Sequence, residues 1–258
     1  ARETTMRVAV GAVCRQLLTA LGVTIASHVT EIGGVGVDPA AIRAEAIGVT
    51  NSSDLNCCDP SAEERIKARI DEAKAAGDTL GGVFEIVVRG LPIGLGSHTQ
   101  WDRRLDGKLA GALMSIQAIK GVEIGAGFAC AHLPGSAIHD EIYMGEDGQP
   151  YRRTNRAGGL EGGMTNGEPL VVRAAMKPIP TLMAPLKTVD LATGKEVSAS
   201  KERSDVCAVP AASVVGEAMV SYVLADALCS QFHADSMTDL RASLAVYRAR
   251  LEQRWGTP

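Results

Sequence analysis

"GGVFEIVVRGLP", residues 81–92, sets β-branched and aromatic residues between a glycine pair and a Gly-Leu-Pro stop, and it reads as a buried strand. Reading outward from it settles the class. Before it, "GVTIASHVTEIGGV" (22–35) is a second strand ended by glycines. After it, "DRRLDGKLAGALMSIQAIKG" (102–121) reads as one helix whose alanines and glycines allow close packing, and "VEIGAGFACA" (122–131) returns as a strand. "PLVVRAAMKPIPT" (169–181) and "APLKTVDLATGKEVSA" (184–199) add two more, the last around an "LATGK" turn. Helices at about 210–232 and 236–254 close the chain.

Further out, "ARETTMRVAVGAVCRQLLTALGVTI" (1–25) is a helix that places Met6, Val10, Val13, Leu17 and Leu21 on one face. It opens without an initiator Met and almost at once within an element, so the expectation is a fragment of a longer protein. Residues 38–79 form a polar excursion. Within it Asp59-Pro60-Ser61 marks a helix start, and the charged residues that follow leave only a narrow apolar stripe, as on a solvated surface helix. Strands and helices mix without strict alternation and without an internal repeat, so the chain reads as a single α+β domain across residues 1–258.

Composition narrows the function classes. With 46% hydrophobic and 22% charged residues, the 258-residue chain can bury a sizeable core. A net charge of −4 and an aromatic content of 3% argue against nucleic acid or an anionic membrane as the main partner. The six cysteines form no CxxC pair and read as reduced thiols of a cytoplasmic protein. The five histidines show no metal-binding spacing, so no metal is expected. No apolar run is read as a membrane span.

Three segments carry candidate chemistry. "NRAGGLEGGMTNGEP" (155–169) is the densest glycine segment. Its backbone N–H groups suit a phosphate or a flavin edge, although an ordinary surface loop has the same composition. "KPIPT" (177–181) is stiffened by two prolines, which fits either a rigid crossover or the wall of a planar cofactor. In "KERSDVCAVPAASVVGEAMV" (201–220), Ser204 or Asp205 reads as a helix cap, with Arg203 and Asp205 standing at the positive end of a buried helix.

Together the segments resemble one family. "ARETTMRVAVGAV", "GLGSHTQWDRRLDGKLAGALMSIQAIKGVEIGAGF", "GGLEGGMTNGEPLVVRAAMKPIPT" and "ERSDVCAVPAASVVGEAM" occur in the order and approximate spacing of chorismate synthase, over nearly the whole chain. The resemblance implies 1,4-anti elimination of phosphate from 5-enolpyruvylshikimate 3-phosphate, giving chorismate, in the shikimate pathway. It also implies reduced FMN as cofactor, with NADPH as a possible flavin reductant, a cytoplasmic homotetramer, and a β-α-β sandwich with helices between two antiparallel sheets.

Carried over by motif, the resemblance makes Asp205 the catalytic aspartate, assisting proton removal at the flavin N5. Gln117, Ala118, Gly162, Arg203 and the run Lys177, Pro178, Ile179, Pro180, Thr181 match flavin contacts. Arg2 and Arg203 match positions that face the substrate, and the glycine-rich and proline-stiffened segments are expected to share one flavin pocket. The family's N-terminal histidine-bearing "GxSHG"-type region is not in this sequence. A polypeptide limited to these residues is therefore expected to have little or no activity. The alternative reading is a non-catalytic chain that retains part of the FMN-binding and oligomerisation surface.

Overall fold

The computed structural model describes residues 2–38, 53–146, 148–202 and 204–255. In chain order the elements begin with α1 (Arg2–Ala20), β1 (Thr24–Ile32), β2 (Val35–Gly36), α2 (Pro60–Ala76), β3 (Gly82–Arg89), α3 (Leu105–Met114) and β4 (Ile119–Ile124). A turn-rich stretch follows with α4 (Gly135–Ile138), β5 (Ile142–Met144), β6 (Pro150–Arg152), β7 (Leu160–Glu161) and β8 (Met164–Thr165). The chain ends with β9 (Leu170–Met176), β10 (Lys187–Val189), β11 (Glu196–Ser198), α5 (Val209–Phe232) and α6 (Met237–Trp255).

The strand read from residues 81–92 is β3, the centre of a five-stranded antiparallel sheet in the order β2-β1-β3-β9-β4. Its side chains alternate. Phe84, Ile86 and Val88 share a face with Val29, Ser27 and Ile25 of β1 and with Ala174, Val172 and Leu170 of β9. Most of these are buried against α5. Close approach is possible because α5 carries Gly216, where an added Cβ would lie 2.6 Å from the Phe84 ring. The opposite face carries a charged row in register, His28, Glu85, Arg173 and Glu123, one from each of four adjacent strands. Arg173 pairs with Glu123 at 3.1 Å.

Packing departs from the sequence pattern in four places. On α1, Met6, Val10 and Val13 are 63%, 47% and 68% exposed, while Gly11 and Leu18 are buried. The reason is Gly11: a Cβ there would sit 2.3 Å from the Cβ of Ala218, so α1 meets α5 through its smallest residue rather than its largest. The predicted 102–121 helix is shorter, because it ends at Met114 and the chain turns through Ser115–Ala118 into β4. The sequence offers no apolar run as a membrane span, yet α5 is long and apolar enough to be one by length and composition; in the fold it is a mostly buried core helix. Finally, the described residues build one sheet of more than two strands. The remaining strands form the hairpins β5–β6, β7–β8 and β10–β11, so the second sheet of the expected sandwich is not among them, although the α+β class stands. The helix start at Asp59 is as read, with its side chain accepting from Ser61 N at 2.9 Å.

Candidate active site

The site is built where three loop segments meet at the Met176 end of β9. Ala118 adopts φ +66°, the only alanine among the described residues in the left-handed region, and this turns the chain sharply into β4. Its carbonyl accepts a hydrogen bond from the Lys177 N–H at 2.9 Å. That bond joins the Gln117–Ala118 turn to the start of "KPIPT". Gln117 in turn donates from Nε2 to Glu3 Oε2 at 3.0 Å, which ties the turn to the first turn of α1 beside Arg2.

Glu3 is a site residue that the sequence reading missed. The Gln117 amide and the Arg7 guanidinium hold its carboxyl below the usual carboxylate range. Arg7 also donates to Ser115 Oγ at 2.7 Å. The i,i+4 spacing of Glu3 and Arg7 was the available signal for that ion pair. Nothing local in the sequence pointed to Gln117 or Ser115 as partners 108 or more residues away.

The third segment is brought in by the stretch before β3. Thr79 Oγ1 donates to the Ile179 carbonyl at 2.6 Å, and the Leu80 N–H donates to the Val206 carbonyl at 2.8 Å. Leu80 and Cys207 form a parallel bridge. Asp205, the residue before Val206, is therefore held two short links from Ile179, with its side chain exposed. It does not cap α5. That helix begins at Val209 behind Ala208, with no side-chain cap bond, because the methyl group of Ala208 offers no acceptor. Ser204 Oγ instead donates to the Asp205 carbonyl at 3.2 Å. Arg203 lies outside the described residues.

Gly162 is placed elsewhere. It forms the tip of the β7–β8 hairpin with Gly163, at φ +60° and +86°, a two-residue turn that requires positive φ at both positions. Gly163 abuts Arg104 and Ser97. The hairpin returns to the Leu170 end of β9, a strand of seven residues that spans about 20 Å. Within one chain, then, the glycine-rich loop and "KPIPT" occupy opposite ends of the sheet and do not share the expected pocket, because β9 separates them.

The residues that do converge suit a flat ligand with polar edges and an anionic group. Lys177, Gln117 and Asp205 lie on the joined segments, and Arg2 precedes Glu3 at the start of α1. Pro178 and Pro180 remove two backbone donors from this stretch. This donor set fits FMN, whose ring edge needs fixed hydrogen-bonding partners and whose phosphate needs cations. A groove of about 550 Å³ lies between α1 and α5, but Val8, Ala12, Val214 and Ala218 line it and its charges pair with each other as Arg15 and Glu217. It offers little to orient a polar substrate.

Comparison with known proteins shows the family. The family model for chorismate synthase matches residues 1–229. The chain is 55% identical over 254 residues to the chorismate synthase of Brevibacillus brevis, covering 98% of this chain and 66% of that protein. It is 58% identical over 259 residues to that of Trichlorobacter lovleyi, covering 97% and 66%. A crystal structure of chorismate synthase superimposes with a TM-score of 0.84 at 44% identity, covering 98% of this chain and 70% of that one. The chain spans about two thirds of the length of the curated relatives it matches. On these grounds the chain belongs to the chorismate synthase family.

Proposed function

We propose that the protein is a chorismate synthase, a carbon–oxygen lyase that eliminates phosphate from 5-enolpyruvylshikimate 3-phosphate in the shikimate pathway. The observation that carries this reading is the hydrogen bond from Lys177 N–H to the Ala118 carbonyl, which unites two of the family's flavin-contact motifs in one wall. When bound, reduced FMN supplies electron density to a substrate that becomes electron-poor as phosphate departs. The chain's own residues do the rest. Gln117, Ala118 and Lys177–Thr181 orient the flavin, while Arg2 and Arg203 bind the substrate's anionic groups. The Asp205 carboxylate, free of any capping role, handles the proton leaving the ring. Gly162, at the far end of β9 from Lys177 within one chain, would reach a flavin only as part of a second copy's site. A cytoplasmic homotetramer, with NADPH as the flavin reductant, completes the reading.

The experiment is Asp205→Asn in the gene product carrying this sequence. Turnover is expected to fall about a hundredfold or more, the scale of lost acid–base assistance, with FMN affinity changed less than about twofold. Turnover near that of the parent, or loss of FMN binding in step with activity, contradicts the assignment.

A further inference from the structure

The sheet face turned away from α5 carries a second group of reactive side chains, on elements the proposed elimination does not use. His28 on β1 is fully buried, and its ring bridges two partners. Nε2 lies 3.2 Å from Glu85 Oε1 on β3, directly opposite in register. Nδ1 lies 3.3 Å from the Sγ of Cys58, just ahead of α2. Cys58 is partly exposed, unlike its neighbour Cys57.

The turn that delivers Cys58 is stitched to the sheet. Asn56, at φ +56°, donates from its side-chain amide to the Ser27 carbonyl at 3.2 Å and to Ser213 Oγ at 2.8 Å. Its own carbonyl accepts from Val29 N–H at 2.8 Å. The adjacent Cys57 is placed differently. Its thiol is buried, donates to the Asp59 carbonyl at 3.4 Å, and is pushed up by burial.

The hydrogen-bond order follows from the partners. An ionised carboxylate only accepts, so Nε2 carries the proton toward Glu85, and Nδ1 is the ring atom that exchanges a proton with the Cys58 sulfur. This is the order nucleophile, base, orienting carboxylate. Burial lowers the basicity of His28, but the bonds from Cys58 and Glu85 outweigh it and raise its pKa to about 9. A proton moved from Sγ to Nδ1 is therefore well held, with Glu85 neutralising the imidazolium.

We infer that Cys58 is a thiol-exchange site for small disulfides, with His28 as its base and Glu85 orienting the ring. Sγ attacks one sulfur of R–S–S–R, and that S–S bond breaks as the Cys58–S–S–R bond forms. The departing thiolate carries away the bonding electron pair and takes the proton from Nδ1. One thiol and one disulfide are consumed and one of each is produced. The exchange needs a thiolate and an in-line approach, and no oxyanion donors.

The test uses the fully reduced chain and dithiobis(nitrobenzoate) at neutral pH, with each adduct assigned by peptide mass mapping. In the parent, Cys58 is expected to form its mixed disulfide about tenfold or more faster than the exposed Cys130 and Cys229. His28→Gln slows Cys58 about tenfold or more and leaves Cys130 unchanged; Glu85→Gln gives a smaller loss. The parent ranking requires no substitution, so it decides the matter even where His28→Gln fails to fold. A Cys58 no faster than Cys130 in the parent overturns the inference. So does an unchanged Cys58 rate in a folded His28→Gln chain.

Discussion

Ala118 holds a backbone conformation that costs an L-residue about 1–2 kcal/mol, and the Lys177–Ala118 bond is what keeps it there. A β-branched side chain tolerates that φ worse than alanine does. Ala118→Val is expected to lower unfolding free energy by about 1–3 kcal/mol, measured by urea denaturation, while Ala118→Gly leaves it equal or slightly higher. Equal losses in both variants would show that the side chain, rather than the φ value, matters at this position. His28 gives a second residue-scale outcome. Its folded pKa of about 9 lies above its ordinary 6.5, so its ionic contribution is full below pH 6.5 and is lost as pH rises through 9. The stability difference between the parent and His28→Gln should therefore shrink across that window. A difference that grows with pH would mean that the buried ring is neutral.

At the scale of elements, what could be read in the sequence divides by the range of the interaction. α2 was legible because its start is written locally: Asp59 caps, Pro60 opens the helix, and a left-handed Gly77 ends it. β3 was legible because its β-branched and aromatic residues are dense and bounded by glycines. The end of α3 was not, since "SIQAIKG" has helical spacing and only the long-range bonds of Gln117 and Ala118 break it. The inward face of α1 was misread for a similar reason. Gly11 has no hydrophobic signal of its own, yet it sets the helix contact with Ala218. Gly11→Val is expected to destabilise the fold by about 1–3 kcal/mol through overpacking, seen as a lower melting temperature. An unchanged melting temperature would mean that α1 is not held against α5 in solution.

For the whole molecule, the strand order was not readable from local pattern, because β9 inserts between β3 and β4 from about 80 residues downstream. That insertion is also what assembles the site. By running between β3 and β4, β9 delivers Lys177 to the Gln117–Ala118 turn, and the stretch ahead of β3 fastens Ile179 and Val206 to the same corner. The family resemblance named most of these residues, and the structure shows why they meet. It also shows that Gly162 does not join them within one chain. The central claim is that this corner serves a flavin-dependent elimination. Its most direct test is anaerobic phosphate release from 5-enolpyruvylshikimate 3-phosphate by the gene product carrying this sequence, with pre-reduced FMN. The account predicts one phosphate released per chorismate formed while the flavin spectrum stays reduced. No phosphate release, or oxidation of one flavin for each substrate consumed, would contradict it.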